Sequence, residues 1–284
     1  MTKLLQVPDG LKRKALKLAD EIGDVIIDCE SCYGACDLAI NEAKVLDCEK
    51  IIHFGHSKLV ESDVPVEYKE IRVKVTLPLE KLKMKEKRIG LVSTLQFINS
   101  LDVAKEFLEK NGKKVVIGNW KGYPGQILGC DVSAAKSIES EIDAFLFIGT
   151  GQFHPLGLAL QTEKPVYFLN LEKKTMEDLS ELKQKFLKQR YAAIALAKDA
   201  KTFGILVSTK PGQLKLELAK SMKKKLEAKG KKAYILAFNE IKPEKLEGFD
   251  LDCYINTACP RISIDNRTDF KKPVLNSDEV ESFI

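Results

Sequence analysis

The stretch that decides the fold is Phe203–Gln213, F-G-I-L-V-S-T-K-P-G-Q, an apolar strand that breaks into a turn ahead of a helical period. Its type recurs upstream as L-L-Q-V-P-D-G at 4–10 and as I-G-L-V-S-T-L-Q at 89–96. Each is an apolar run followed by a turn that contains Gln or is preceded by it. Behind each restart, strand and helix periods alternate, which argues for parallel α/β sheets. The first unit reads as strand Leu4–Val7, a helix with Leu11, Ala15, Leu18 and Ile22 inward, strand Asp24–Asp28, a short helix and strand Lys50–Phe54. Val66–Val75 is an extended connection out of it. The second unit has strand Arg88–Ser93 and a helix capped by Ser100, which turns Val103, Ala104, Phe107 and Leu108 inward and stops at Gly112. Strand Lys114–Ile117, a helix near Ser133–Glu141, and strands Phe145–Ile148 and Pro165–Leu169 follow. Lys173–Lys198, lysine-rich and helical in period, bridges to the third unit. There strand Phe203–Ser208 precedes a helix with Leu214, Leu218, Met222 and Leu226 on one stripe, then strands Ala233–Ala237 and Leu251–Ile255. The expectation is an α/β protein of three similar domains, 1–80, 81–185 and 186–284, each a parallel sheet flanked by helices.

Composition narrows the class. The chain has 284 residues, 44% hydrophobic and 31% charged, with a formal charge of +5 from 46 basic and 41 acidic side chains. That is ordinary for a globular protein with real cores. No apolar run approaches the ~20 residues of a membrane span, and the N-terminus lacks the pattern of a signal peptide. A cytoplasmic protein is expected, and its seven cysteines, an odd number, are then thiols rather than disulfides. Lysine stretches such as Lys220–Lys232 read as solvated helix faces. With no RNA-binding motif beside them, no direct nucleic-acid partner is expected.

The cysteines carry the chemistry. In D-C-E-S-C-Y-G-A-C-D (28–37), Cys29, Cys32 and Cys36 form C-x-x-C-x-x-x-C, with Cys48 close behind. Such a cluster can hold zinc or an iron–sulfur group locally. Cys29, however, continues an apolar strand, where packing is the common fate of a thiol. The other reading is dispersed. Cys36, Cys130 and Cys259 each lie just after a strand, one per unit, where parallel α/β proteins bind ligands. Three thiolates on a [4Fe–4S] cluster would leave one iron open to substrate. For any one cysteine, a small buried hydrophobe is the bland alternative. Among the loops, G-T-G-Q-F-H-P-L-G (149–157) can hold an anion on its amides, although Pro155 disfavours a helix directly behind it. S-T-K-P-G-Q (208–213) ends in a helix start suited to a carboxylate. His53 reads as core, whereas His56 and His154 lie in loops at strand ends. No Ser-His-Asp arrangement or G-x-S-x-G elbow is present.

Taken together, Y-G-A-C-D-L-A (33–39), G-C-D-V-S-A-A (129–135), I-G-T-G-Q-F-H-P-L-G (148–157), S-T-K-P-G-Q (208–213) and N-T-A-C-P-R-I-S-I-D (256–265) resemble the archaeal diphthamide biosynthesis enzymes. These are non-classical radical S-adenosylmethionine proteins, and the resemblance runs along nearly the whole chain. It implies three similar α/β domains arranged around a central [4Fe–4S] cluster held by Cys36, Cys130 and Cys259, in a homodimer. Cys29, Cys32 and Cys48 fall outside the family's ligand positions. The implied reaction moves the 3-amino-3-carboxypropyl group of S-adenosylmethionine to a histidine of elongation factor 2, releasing methylthioadenosine, with an external electron donor. For the co-substrate, position and chemistry suggest Gln213 and Arg261 on the carboxylate side, with Gly149, Gly151 and His154 lining the same pocket. Flanking helices expected of longer relatives are not expected in this chain. Two other readings stay open: a Lewis-acid dehydratase or condensing enzyme of quinolinate-synthase type, and a non-catalytic zinc module on Cys29, Cys32 and Cys36.

Overall fold

The computed structural model describes residues 2–264 and 269–281. Its strands form three sheets. The first comprises β1 (Lys3–Gln6), β2 (Val25–Ile27), β3 (Lys50–Phe54) and β4 (Val66–Lys69), in the order β2-β1-β3-β4. The second comprises β5 (Arg88–Ser93), β6 (Lys114–Val116), β7 (Ala144–Gly149), β8 (Val166–Asn170) and β9 (Thr175–Asp178), in the order β6-β5-β7-β8-β9. The third comprises β10 (Thr202–Ser208), β11 (Lys232–Phe238), β12 (Cys253–Asn256) and β13 (Val274–Asn276), in the order β11-β10-β12-β13. Every pairing is parallel except β8 with β9. The same order, second-first-third-fourth, therefore recurs three times.

Parallel neighbours need crossovers, and helices supply many of them. They are α1 (Ala15–Ile22) and α2 (Ile40–Val45) in the first unit, and α3 (Ser100–Lys110), α4 (Ser133–Lys136) and α5 (Phe153–Leu160) in the second. Then come α6 (Ser180–Lys198), α7 (Leu216–Ala228), α8 (Arg261–Ile264) and α9 (Ser277–Val280). Strand β7, A-F-L-F-I-G, shows why the chain folds this way. It is buried along its whole length, as a sheet covered on both faces requires. Leu146 and Ile148 join the core of Leu101, Ala104 and Leu108 from α3. Phe145 and Phe147 join the core of Ala134 and Ala135 from α4 and Leu158 and Ala159 from α5. In the third sheet, Phe203, Ile205 and Val207 pack with Ala219, Met222 and Leu226 of α7, while Leu206 packs with Leu246, Leu251 and Tyr254.

Several local expectations change. Val66–Lys69 is a fourth parallel strand on β3 rather than an exit. Lys173–Lys198 is not one helix: Thr175–Asp178 pairs antiparallel with β8 before α6 begins. The flanking lysines concealed an edge strand whose own charges, Glu177 and Asp178, guard it from further pairing. Ser100 is no cap; its hydroxyl donates to the Phe97 carbonyl, and Val103 is half exposed. Leu214 precedes α7 and is likewise exposed. The helix near 133–141 breaks after Lys136 into a separate turn at Glu139–Glu141. Strand β13 was not foreseen. The lysines of α7 pair with Glu217, Glu227 and Glu281 at the surface, a solvated face as read.

Arg190 of α6 ties the end of the chain down. It is 4% exposed; its guanidinium donates to both carboxylate oxygens of Glu279 and to the carbonyls of Ser263 and Val274. Breaking a buried pair strands the remaining charge and two carbonyls, at a cost of about 3–5 kcal/mol. Arg190→Leu is therefore expected to lower the urea unfolding midpoint by that equivalent, and wild-type stability in the variant would refute it.

Candidate metal centre

Cys36, Cys130 and Cys259 line one cavity of about 140 Å³, together with His56, Gln126, Phe153, His154 and Arg261 among others. Each thiol is delivered by its own unit, beyond β2, β6 and β12 respectively. Short polar ties shape each turn. The Asp37 carboxylate accepts from the Tyr33 amide, and its carbonyl accepts from Gln6 Nε2 at 2.7 Å. Asp131 accepts from Trp120 Nε1 and from the Ser133 amide, fixing Cys130 at the entrance to α4. Asn256, at the end of β12, donates to the Cys259 carbonyl at 2.9 Å and accepts from the Ala258 amide.

The units are locked to one another at this point. Lys210 Nζ lies 2.5 Å from Asp37 Oδ1, with both side chains under a tenth exposed. The Gly212 amide donates to the Cys36 carbonyl at 2.8 Å, and a Cβ on Gly212 would stand 2.6 Å from Cys36 Cα. Gln213 Nε2 donates to Cys36 Sγ at 3.6 Å. The loop from the third unit is thus pressed against the cysteine loop of the first. A second close approach joins Gly157 of α5 to Gly129, where an added Cβ would meet the Gly129 carbonyl at 2.6 Å. That contact seats the Cys130 loop on the helix that carries His154.

The thiols are held at a cost. Burial pushes Cys259 up to about 12, with neighbouring Cys36 and Cys130 adding to the shift. Cys36 is raised by burial, against the opposing hydrogen bond from Gln213; Cys130 is raised by desolvation in its recess and next by Cys36. Cys36 raises both other thiols and Cys130 raises Cys259, so three buried thiols stand ready for a positively charged centre. Among the described residues, Cys32, His53 and His56 are the group of three whose ligand atoms lie within 4.8 Å of one another. The cavity instead offers three soft thiol donors, one per unit, the ligand type an iron–sulfur group takes.

The other residues named from sequence divide. His154 and Arg261 line the cavity; Arg261 lies over the Phe153 ring at 5.0 Å, and His154 Nδ1 has no partner among the described residues. Gln213 borders the adjoining cleft of about 350 Å³, shared with Cys259 and Arg261, and sits in a turn three residues ahead of α7 rather than at its start. Gly149 and Gly151 do not line either space: Gly149 is buried in β7 and Gly151 is exposed with φ +68°. Pro155 does not keep a helix away. It occupies the first turn of α5, where a missing N–H costs nothing. Asp265, last in its motif, lies outside the described residues. In the local cluster, Cys29 is exposed and turned to the Ile27 carbonyl, Cys32 is buried against Gly34 and Asp37 carbonyls, and Cys48 faces the Leu46 carbonyl. Sequence reasoning missed Lys210, Asp37, Gln6 and Gln126. The glutamine found at every restart was the available signal: Gln6, Gln96 and Gln213 all lie at or beside the centre.

Two outcomes follow. Lys210→Met leaves Asp37 buried and unpaired, an expected loss of about 3–5 kcal/mol by urea titration that Lys210→Met/Asp37→Leu largely restores. The histidines set an acid dependence. Burial lowers His53 to about 3, and His56 and His154 to about 4. Between pH 6.5 and about 4 the unfolded chain therefore binds protons that the folded chain refuses. Stability is complete above pH 6.5 and falls on acidification by up to about 1.4 kcal/mol per pH unit per histidine. Asp28 and Asp37, raised chiefly by burial, oppose this at the acid end. A urea midpoint unchanged from pH 6.5 to 5 would contradict the assignment.

Known proteins share this fold. The family described as "Putative diphthamide synthesis protein" matches residues 7–284. A 2-(3-amino-3-carboxypropyl)histidine synthase of Pyrococcus horikoshii is 40% identical over 98% of this chain and 84% of its own. Subunit 1 of the synthase of that name from Caenorhabditis elegans is 32% identical over 95% of this chain and 72% of its own. The crystal structure of Dph2 from Pyrococcus horikoshii with a 4Fe-4S cluster superposes with a TM-score of 0.91 at 39% identity, covering 99% of this chain and 85% of that one. With one thiol from each of three like sheets meeting in one cavity, the chain belongs to the diphthamide synthesis family.

Proposed function

We propose that this chain is a 2-(3-amino-3-carboxypropyl)histidine synthase, transferring the 3-amino-3-carboxypropyl group of S-adenosylmethionine to a histidine of elongation factor 2, the first step of diphthamide formation. The observation that carries this reading is the meeting of Cys36, Cys130 and Cys259 in one cavity, each from its own unit. These three would hold a [4Fe–4S] group and leave one iron without a protein ligand. When bound, that group supplies the single electron that cleaves the sulfonium carbon–sulfur bond on the γ-carbon side, with methylthioadenosine as by-product.

The chain's own residues prepare the ground. Arg261 offers guanidinium donors to the co-substrate carboxylate beside Cys259. Gln213 donates to Cys36 Sγ, which stabilises the thiolate form that a metal needs. The apolar walls, Leu59, Leu95, Leu128 and Phe153, exclude water from a reactive carbon radical. The protein substrate, an external electron donor and a homodimeric assembly belong to the same reading. No helix among the described residues is long and apolar enough to cross a membrane.

Iron and sulfide assays on anaerobically purified protein test the ligand set. Cys130→Ala is expected to lose the brown chromophore and methylthioadenosine release, and Cys29→Ala to keep both. The reverse result would move the metal to the local cysteines and end this reading. A cluster-loaded protein that releases no methylthioadenosine would instead favour Lewis-acid chemistry.

A further inference from the structure

The cavity contains acceptors whose proton positions the fold dictates. Gln6 is 2% exposed and its amide cannot be turned around: Nε2 donates to the Asp37 carbonyl at 2.7 Å, and Oε1 accepts from the Ala39 amide. Oε1 is also 2.8 Å from His53 Nδ1, so His53 must carry its proton there and leave Nε2 bare. That bare nitrogen lies 3.0 Å from His56 Nδ1, which must then be the donor. His56 Nε2 is left as a lone pair, on a residue that lines the cysteine cavity. Burial holds both rings uncharged at neutral pH, so the sequence of protons is not scrambled.

Beside His56 stands Gln126, itself 2% exposed. Its Nε2 donates to Ser57 Oγ at 3.0 Å, and its Oε1 has no partner among the described residues. A buried acceptor left unpaired costs about 1–3 kcal/mol, so a ligand that supplies its hydrogen bond recovers that energy. Among the described residues, no aspartate or glutamate lines this cavity. An N–H-bearing cation entering it is met by neutral lone pairs, while Arg261 serves an anionic group in the same space.

We infer that the Gln6–His53–His56 chain presents the His56 Nε2 lone pair, together with Gln126 Oε1, to the α-ammonium of the co-substrate's amino-acid end. This rests on the S-adenosylmethionine reading above and adds the half of that end which Arg261 does not serve. His56 and Gln126 are binding residues; Gln6 and His53 are positioning residues that touch no substrate.

Calorimetry on the anaerobic, cluster-loaded protein separates the possibilities with two probes. S-adenosylhomocysteine carries the amino-acid end, and methylthioadenosine lacks it. His56→Leu is expected to bind S-adenosylhomocysteine about ten- to a hundredfold more weakly, the loss of a hydrogen bond to a charged group, with methylthioadenosine unchanged. His56→Gln, which keeps an acceptor near the Nε2 position, recovers most of the loss. Gln6→Leu, at a residue that does not itself line the cavity, weakens S-adenosylhomocysteine alone, because His53 no longer fixes the His56 proton. Equal binding of S-adenosylhomocysteine by wild type and His56→Leu overturns the inference and spares the function. A matching loss of both probes in His56→Leu and Gln6→Leu also overturns it, assigning the chain a purely structural part. Failure of wild type to bind either probe overturns the function itself.

Discussion

The ion pair between Lys210 and Asp37 is the contact on which the centre depends. It joins a loop of the third sheet to a loop of the first, in surroundings dry enough that either partner alone would be a serious cost. Cys36 sits between the pair and the Gly212 amide that holds its carbonyl. Cys36, the cluster ligand proposed above, is thereby positioned by two units at once, and its thiol cannot drift without breaking a buried charge pair. Tyr33 extends the lock, donating its hydroxyl to Glu240 at 2.6 Å across the same boundary.

What the clamp secures is an unfavourable arrangement until it is filled. Three thiols are kept from ionising chiefly by burial, with Cys36 adding to the shift at the other two, beside histidines kept neutral by burial and a glutamine oxygen without a partner among the described residues. Interiors do not usually tolerate so many unmet groups. Stability supplied elsewhere, by aromatic and aliphatic cores on both faces of the sheets, holds the site open for ligands that complete its electrostatics. The division of labour is visible in single strands. In β7 the side chains alternate between two cores, while the helix that follows it carries His154 and the loop beyond β6 carries Cys130.

The sequence made the repeat legible because parallel strands buried on both faces must be written as unbroken apolar runs, and L-L-Q-V, I-G-L-V-S and F-G-I-L-V-S are such runs. The cysteines could be narrowed to one per unit by their place after strands, and the resemblance selected among them. Strand β9 was hidden because an edge strand buries little and the lysines on either side of it, Lys173 and Lys174 before and those of α6 after, mimic a helix face. Pro155 misled because a rule about helix interiors was applied to a first turn. The Gln6–His53–His56 chain and the Lys210–Asp37 pair join residues up to 173 positions apart. Neither leaves any local period or spacing by which it could be read.

The threefold recurrence of one strand order has a consequence for how the protein is made. Each sheet can assemble from its own stretch of chain, so the three are able to fold in succession as they are synthesised. The cavity cannot: its last thiol lies in the final unit, and its clamp needs a lysine from the same unit. Cofactor loading is thereby a late event in the life of the molecule. An interrupted chain ending before residue 203 would be two sheets with Cys36 and Cys130 uncovered and no centre, a product without partial activity to lose.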